Sequence, residues 1–339
     1  MKKILILGGA GFIGFNLAKQ LHKKEDHHVT IADNLSRGKM DAKLSDLVKN
    51  SNIDFIEGDF TNEEDFEKLG SGFDDLYMLA AVVGVNNTLK NPSEIIRVNT
   101  KLTINTLEWL SRGTVKNVIF TSTSENYAGT IDKFGYKVPT PEDIPLSIVD
   151  ISHPRYTYAV TKILGESGFL NYSKAYNFKC TIVRYHNVIG PRMGFKHVIP
   201  HLAERFIKGK EDPFMMYGFD QTRSFCYVDD AVAGTIAAAE SSNSNGEIYH
   251  IGSSEEITIE QLIREAGKFF KYSGEYEEAP TFPGSTARRC PDITKAKKDL
   301  GYKTLYSWKE SLHMTLGWYK DFFESGSSTF ESSFEKPDV

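Results

Sequence analysis

Two residues four apart near the middle of this chain have the types and spacing to move a proton. In Arg155-Tyr156-Thr157-Tyr158-Ala159-Val160-Thr161-Lys162-Ile163-Leu164-Gly165-Glu166 the pattern reads as the start of a helix. On a helix i and i+4 share a face, so Tyr158 and Lys162 point the same way. A free tyrosine titrates near pH ~10 and a free lysine near ~10.4. A cation beside the phenol favours phenolate, which lets Tyr158 act as acid or base near neutral pH. Surface tyrosines and lysines also fall four apart by chance, so the pair gains meaning only from the elements around it.

Those elements begin at the N-terminus. Ile4 to Leu7 is a short apolar run, suited to a strand buried on both faces. It leads into Gly8-Gly9-Ala10-Gly11-Phe12-Ile13-Gly14 and an amphipathic segment from Phe12 to Lys23. Strand, glycine turn and helix together bring a pyrophosphate to the amides of a helix N-terminus. A second strand, Val29 to Ala32, ends in Asp33, placed to accept hydrogen bonds from an adenosine ribose. An acid there repels a 2′-phosphate and favours NAD over NADP, while Arg37 nearby pulls the other way.

The alternation continues. Strands are expected at Ile53–Glu57, Leu76–Ala81, Val115–Phe120 and Phe178–Arg184, and helices at Pro92–Arg112 and Tyr156–Tyr176. This predicts an α/β fold, a Rossmann-type doubly wound parallel sheet that binds ligands at the carboxyl ends of its strands. The glycine turn, Asp33, Asp59, Ala80-Ala81 and Thr121 to Glu125 all fall at such ends. Asp59 can meet an adenine amino group or simply cap the segment from Thr61.

After Tyr185 the chain changes character, with Gly190-Pro191-Arg192 and Gly218-Phe219-Asp220-Gln221-Thr222-Arg223 marking irregular structure. A helix at Val228–Glu240 and a strand at Glu247–Ile251 read as a return to the sheet. Residues 1–185 with about 224–252 are expected to form the NAD-binding domain. A small α/β lobe is expected from about 186–223 and 253–324, and a disordered tail from 325 to 339. Loop arginines such as Arg288 and Arg289 suit bidentate phosphate binding, or salt bridges in solvent.

Composition excludes several classes. At 339 residues with 40% hydrophobic and 25% charged content, the chain can bury a large core. A net charge of −5 without a basic block argues against nucleic acid or a membrane surface as partner. Cys180, Cys226 and Cys290 are too scattered for a disulfide framework or a metal site, which suits reduced cytosol. Met1-Lys2-Lys3 with Ile4 to Leu7 is too short an apolar stretch for a signal peptide, and no segment can span a bilayer.

The ordered set of motifs resembles the extended short-chain dehydrogenase/reductases, specifically the NAD-dependent nucleotide-sugar epimerases, dehydratases and decarboxylases. The matching pieces are the glycine turn, Gly58-Asp59, Leu79-Ala80-Ala81, Asn99, Thr121 to Tyr127, Tyr158-x-x-x-Lys162 and Asn187 with Gly190-Pro191-Arg192. Gln221-x-Arg223-x-Phe225, Tyr227-Val228-Asp229-Asp230 and Ala287-Arg288-Arg289 with Leu300-Gly301-Tyr302 complete them. The resemblance implies that Tyr158 is the catalytic base, that Lys162 binds the nicotinamide ribose and tunes Tyr158, and that Thr123 bonds the sugar 4-hydroxyl. It implies NAD contacts at Gly8, Gly11, Phe12, Ile13, Gly14, Asp33 and Asn34. Further contacts are implied at Asp59, Phe60, Leu79, Ala80, Ala81, Asn99, Ser122, Tyr185 and Val188. A nucleotide-diphosphate sugar would meet Gly84, Thr123, Asn187, Val198, Arg223 and Arg288. A homodimer through a four-helix bundle of Pro92–Arg112 and Tyr156–Tyr176 is implied too. Two positions depart from the pattern. Met78 stands where His is usual, and Asn126 and Ala128 stand where Val or Ile and Gly are usual.

Ser124 and Glu125 bear on the subtype. After C4 is oxidised the C5 proton is acidic, and a carboxylate beside it can abstract that proton. This points to C4 oxidation followed by 4,6-dehydration. The alternatives are 4-epimerisation, release of the 4-keto sugar, decarboxylation of a glucuronate, and a non-catalytic NAD sensor on the same fold. The bland alternative is that Glu125 only caps the turn that follows it or pairs with a lysine.

Overall fold

The computed structural model describes residues 1–195, 197–209, 211–281 and 286–325. Ile4, Leu5, Ile6 and Leu7 are fully buried because their strand, β1 (Lys2–Leu7), lies inside a seven-stranded sheet. The other strands are β2 (His27–Asp33), β3 (Ile53–Glu57), β4 (Phe73–Met78), β5 (Val115–Thr123), β6 (Lys179–Tyr185) and the strand Ile248–Ile251. Their order runs from Ile248–Ile251 through β6, β5, β4, β1 and β2 to β3, and every pairing is parallel. Inner strands of such a sheet are covered on both faces, which is why they read as continuous apolar runs rather than alternating ones.

The first helices are α1 (Phe12–Leu21), α2 (Ala42–Leu47), α3 (Val85–Lys90), α4 (Pro92–Leu110), α5 (Ala128–Phe134) and α6 (Thr157–Tyr176). They are followed by α7 (Val198–Lys208), α8 (Val228–Glu240), α9 (Ile259–Phe269), α10 (Thr294–Leu300) and α11 (Trp308–Glu324). Phe15, Leu17, Val232 and Tyr249 belong to a core between one sheet face and α1 and α8. Leu102, Leu107, Trp109 and Phe169 form the core under α4 and α6 on the other face. A third core, with Ile199, Leu202, Leu262, Leu312 and Leu316, joins α7, α9 and α11.

Two of the differences from the expected strand ends shape the site. β4 stops at Met78, so Leu79 to Ala81 leave the sheet as irregular backbone. β5 continues past Phe120 to Thr123 because β6 keeps pairing with it, Thr121 with Val183, Ser122 with Arg184 and Thr123 with Tyr185. The polar Thr-Ser-Thr sequence hid this extension. The tail expected from 325 lies, from 326 on, outside the described residues. No helix among the described residues is long and apolar enough to cross a membrane.

Candidate active site

The glycine turn folds onto itself. Gly8 has φ +84°, and a Cβ there would lie 2.6 Å from the Ala80 nitrogen. A Cβ on Gly14 would lie 2.3 Å from the Gly8 carbonyl oxygen. Only bare backbone permits this approach between β1, the head of α1 and the Leu79–Ala81 segment. Gly11 caps α1 without any side-chain hydrogen bond, so the amides of its first turn have no competing side-chain acceptor at the cap. At the end of β2, Asp33 accepts from Ala10 N through Oδ2 (3.0 Å) and from Leu35 N through Oδ1 (2.8 Å). Burial pushes its carboxyl pKa up, and these amides oppose the push. Each oxygen retains a lone pair for a ribose hydroxyl. The turn, the open helix head and the acid together fit a dinucleotide. Arg37 reaches His197 at the head of α7 (3.5 Å).

Other expected cofactor residues divide into side-chain and backbone roles. Asn34 is exposed and accepts from Ser36 N at 3.0 Å. Asp59 accepts from Thr61 N at 3.0 Å, the local turn contact that was one of its two readings. Phe60 is 3% exposed and lies edge-on to Phe66 at 5.2 Å, so its ring is part of the core. Asn99 is a clip: Oδ1 accepts from Val82 N (2.8 Å), and Nδ2 donates to Val82 O (3.1 Å) and Thr161 Oγ1 (3.3 Å). It fastens the segment after Ala81 to α4 and α6. Tyr185 shares a 2.7 Å hydrogen bond with Thr235, and Val188 begins a two-residue strand paired with Cys226.

Lys162 is buried and donates from Nζ to the Thr121 carbonyl at 2.8 Å. Its ammonium sits 4.7 Å from the Phe120 ring centroid and 5.9 Å from that of Tyr158. Burial lowers its pKa to about 8, with Glu166 acting against the drop. The phenol of Tyr158 is pushed up, first by burial and then by Glu125, while Arg37 opposes. Burial thus opposes the depression of this phenol expected from Lys162.

At the end of β5, Thr123 Oγ1 accepts from Glu125 N (3.2 Å) and caps a one-turn 3-10 helix, Ser124–Tyr127. That is the capping contact weighed for this turn, made by Thr123 rather than Glu125. The Glu125 carboxylate instead takes a 2.5 Å bond from Nη1 of Arg289. Burial would raise its pKa, but Arg289, with Arg155 and Arg223 beyond it, holds it below the usual carboxylate value. Arg223 bonds the Thr222 carbonyl at 2.8 Å, and burial lowers its pKa to about 10. Asp132 on α5 lies in the field of the same three arginines.

Of the two adjacent arginines, the structure turns Arg289 to the site. Arg288 is half exposed and bonds Glu256 at 2.9 and 2.7 Å. The two form a two-residue strand, whose side chains alternate faces. Sequence alone carries no signal for which faces inward, and it singled out neither Arg155 nor Asp132. Asn187 (φ +36°) donates to Ser224 O at 2.8 Å. Gly84 (φ +111°) precedes α3, and Val198, 40% exposed, opens α7.

The model of the NAD dependent epimerase/dehydratase family matches residues 4–252. UDP-N-acetyl-alpha-D-glucosaminuronate decarboxylase of Bacillus cytotoxicus is 35% identical over 331 residues, covering 94% of this chain and 98% of that protein. UDP-glucuronic acid decarboxylase 5 of Arabidopsis thaliana is 31% identical, covering 91% of this chain and 87% of its own length. Among solved structures, UDP-glucuronic acid 4-epimerase of Bacillus cereus, in complex with UDP-glucuronic acid and NAD, superposes with a TM-score of 0.82 at 28% identity. That likeness covers 94% of this chain and 99% of the other.

Proposed function

The chain belongs to the NAD dependent epimerase/dehydratase family, and from that membership we propose that it oxidises C4 of a UDP-hexuronate and then removes C6 as carbon dioxide. The observation that carries this reading is the set of cations around Glu125. Arg289 bonds it directly, and Arg155 and Arg223 add to the same field. The diphosphate common to every candidate substrate can take part of this charge, and a 6-carboxylate is well matched to the guanidinium fork of Arg289 beside Glu125. The decarboxylase relatives support the same substituent. This moves weight away from 4,6-dehydration, which needs a hydroxyl at C6.

Tyr158, as the phenolate that Lys162 and the cationic nicotinamide of bound NAD would favour against the burial that raises it, takes the proton of the C4 hydroxyl as the C4 hydrogen leaves as hydride, with Thr123 beside it. NAD, held at the glycine turn and Asp33, would supply the acceptor for that hydride and its donor back to C4. Lys162 holds the strand end at Thr121 and offers its remaining donors to the ribose. With C4 a ketone, C6 is the carboxylate of a β-keto acid. Its C5–C6 bond breaks, the electron pair passes to the C4 oxygen, and carbon dioxide leaves. C5 must then gain a proton. A substrate carboxylate on Arg289 neutralises the cation that keeps Glu125 ionised and adds a like charge, so Glu125 takes up a proton. It hands that proton to C5. Tyr158 returns the other proton to the C4 oxygen as the hydride comes back.

The second reading is C4 epimerisation of the same hexuronate, favoured by the likeness to the Bacillus cereus enzyme. The test is mass spectrometry and proton NMR of the products after incubation with UDP-glucuronate, UDP-N-acetylglucosaminuronate, UDP-glucose and dTDP-glucose. Loss of carbon dioxide from a hexuronate is expected. Loss of water from a neutral hexose, or a change of configuration without change of mass, would replace the proposal. We also propose a cytosolic setting, supported by three buried, unpaired cysteines.

A further inference from the structure

Thr123, Ser124 and Glu125 are flanked by two side chains tied to one carboxylate. Ser122 donates from Oγ to Oε1 of Glu166 at 2.6 Å. Asn126 donates from Nδ2 to the same oxygen at 2.9 Å and to Ser122 Oγ at 3.0 Å. Arg184 fixes that carboxylate, with Nε on Oε1 at 2.8 Å and Nη2 on Oε2 at 2.7 Å. The Glu166 and Arg184 side chains are 5% and 3% exposed, and Asn126 is fully buried. Glu166 lies one helical turn beyond Lys162 on α6, and Lys162 holds the Thr121 carbonyl. One helix thus grips β5 and its exit at Thr121, Ser122 and Asn126.

The two ends of this loop are not held alike. Thr121 and Ser122 also sit in the ladder with β6. Beyond Thr123 no ladder continues, and the Asn126 amide is the tether next to Glu125 that closes back onto Ser122. Asn126 Oδ1 is buried without a hydrogen-bond partner, so the value of the amide lies in its two N–H bonds. The residue is also one of those that depart from the pattern of the family.

We propose that Asn126 is a positioning residue that sets the Glu125 carboxylate against Arg289, acting through the buried Glu166–Arg184 pair. What Glu125 does once positioned rests on the function proposed above, while how it is held does not. An apolar side chain at 126 leaves Glu166 bonded to Ser122 and Arg184, so the ion pair stays satisfied. The turn then rests on the Thr123–Glu125 cap and on the 2.8 Å contact of Tyr127 with His186.

The test compares wild type with Asn126→Val, and with Asn126→Ala in case the larger side chain does not fit. Amide hydrogen exchange is measured across Ser124–Tyr127, together with melting temperature, NAD affinity and steady-state kinetics on a UDP-hexuronate. Faster exchange confined to this turn is expected, with NAD affinity kept. Carbon dioxide release should fall roughly ten- to a hundredfold in kcat. KM should stay within about twofold, and more 4-keto sugar should be released unfinished. Unchanged exchange in this turn in both variants would overturn the proposal. So would a general loss of stability and NAD binding in both, which would make Asn126 a residue of the fold alone. A wild type that releases no carbon dioxide sinks the functional reading instead, and the exchange result then decides the role of Asn126 by itself.

Discussion

Glu125 and Arg289 are 164 residues apart in the chain and meet in a 2.5 Å hydrogen bond. The pair joins the exit of β5 to the two-residue strand Arg288–Arg289, so the sheet and the C-terminal part of the chain meet at the Glu125 carboxylate. Arg289→Met should lower kcat/KM on a UDP-hexuronate by roughly a hundredfold or more, as expected when a charge donor is removed from a buried site. Arg288→Met should change it by less than about threefold, because its partner Glu256 lies in an exposed pair. Steady-state kinetics of the two variants side by side check this, and equal losses would contradict it.

Lys162 should make NAD binding sensitive to alkali. Burial lowers its pKa to about 8, and Glu166 on its own helix is the charged group that opposes the drop. The ammonium is charged below that value and neutral above it. NAD affinity should therefore be highest below about pH 8 and fall as pH rises through it. Calorimetric titrations from mildly acidic to alkaline buffer read this directly. Lys162→Met should bind weakly with little pH dependence, and a wild type whose affinity is flat through this range would remove Lys162 from the cofactor site.

The sheet was legible from the sequence because buried parallel strands leave unbroken apolar runs, as in Ile4 to Leu7. The Tyr158–Lys162 pair and the glycine turn were legible because their spacing is local. What local sequence does not show depends on contacts between distant segments. β5 runs on to Thr123 only because β6 lies alongside. Arg289 rather than Arg288 faces Glu125 because of the facing of a two-residue strand. Asn126 read as a departure from a pattern, and its meaning appears only beside Glu166 and Arg184. The raised phenol of Tyr158 follows from burial, which no local spacing reports.

The outer faces of α4 and α6 carry apolar residues that nothing in the single chain covers fully. Ile96 and Ile104 on α4 are 47% and 42% exposed, and Val160 and Leu164 on α6 are 37% and 40% exposed. Spacings of eight and four keep each pair near one face of its helix. We propose that these faces pair with their copies as a four-helix bundle in a homodimer. Light scattering at micromolar concentration should return a dimer. Ile104→Glu with Leu164→Glu should return a folded monomer, and a monomeric wild type would refute the arrangement.

Glu125→Gln separates the steps of the proposed reaction. The amide keeps the shape of the carboxylate and can still accept from Arg289, but it cannot carry a proton. C4 oxidation depends on Tyr158, Thr123 and Lys162 and should survive, so reduced cofactor should appear by absorbance in a single turnover. Protonation at C5 should stall, and product should form at least about a hundredfold more slowly than in wild type. The Arg289 cation, 9% exposed, loses its counter-charge, so some fall in melting temperature should accompany the change. Deuterated solvent distinguishes the rival chemistries in the wild type. A decarboxylase must place solvent deuterium at C5 of a product that has lost carbon dioxide. A 4,6-dehydratase exchanges C5 while losing water. A 4-epimerase returns its hydride to C4 and leaves C5 untouched. Absence of deuterium from C5 in the wild-type product would remove both decarboxylation and dehydration and leave epimerisation standing.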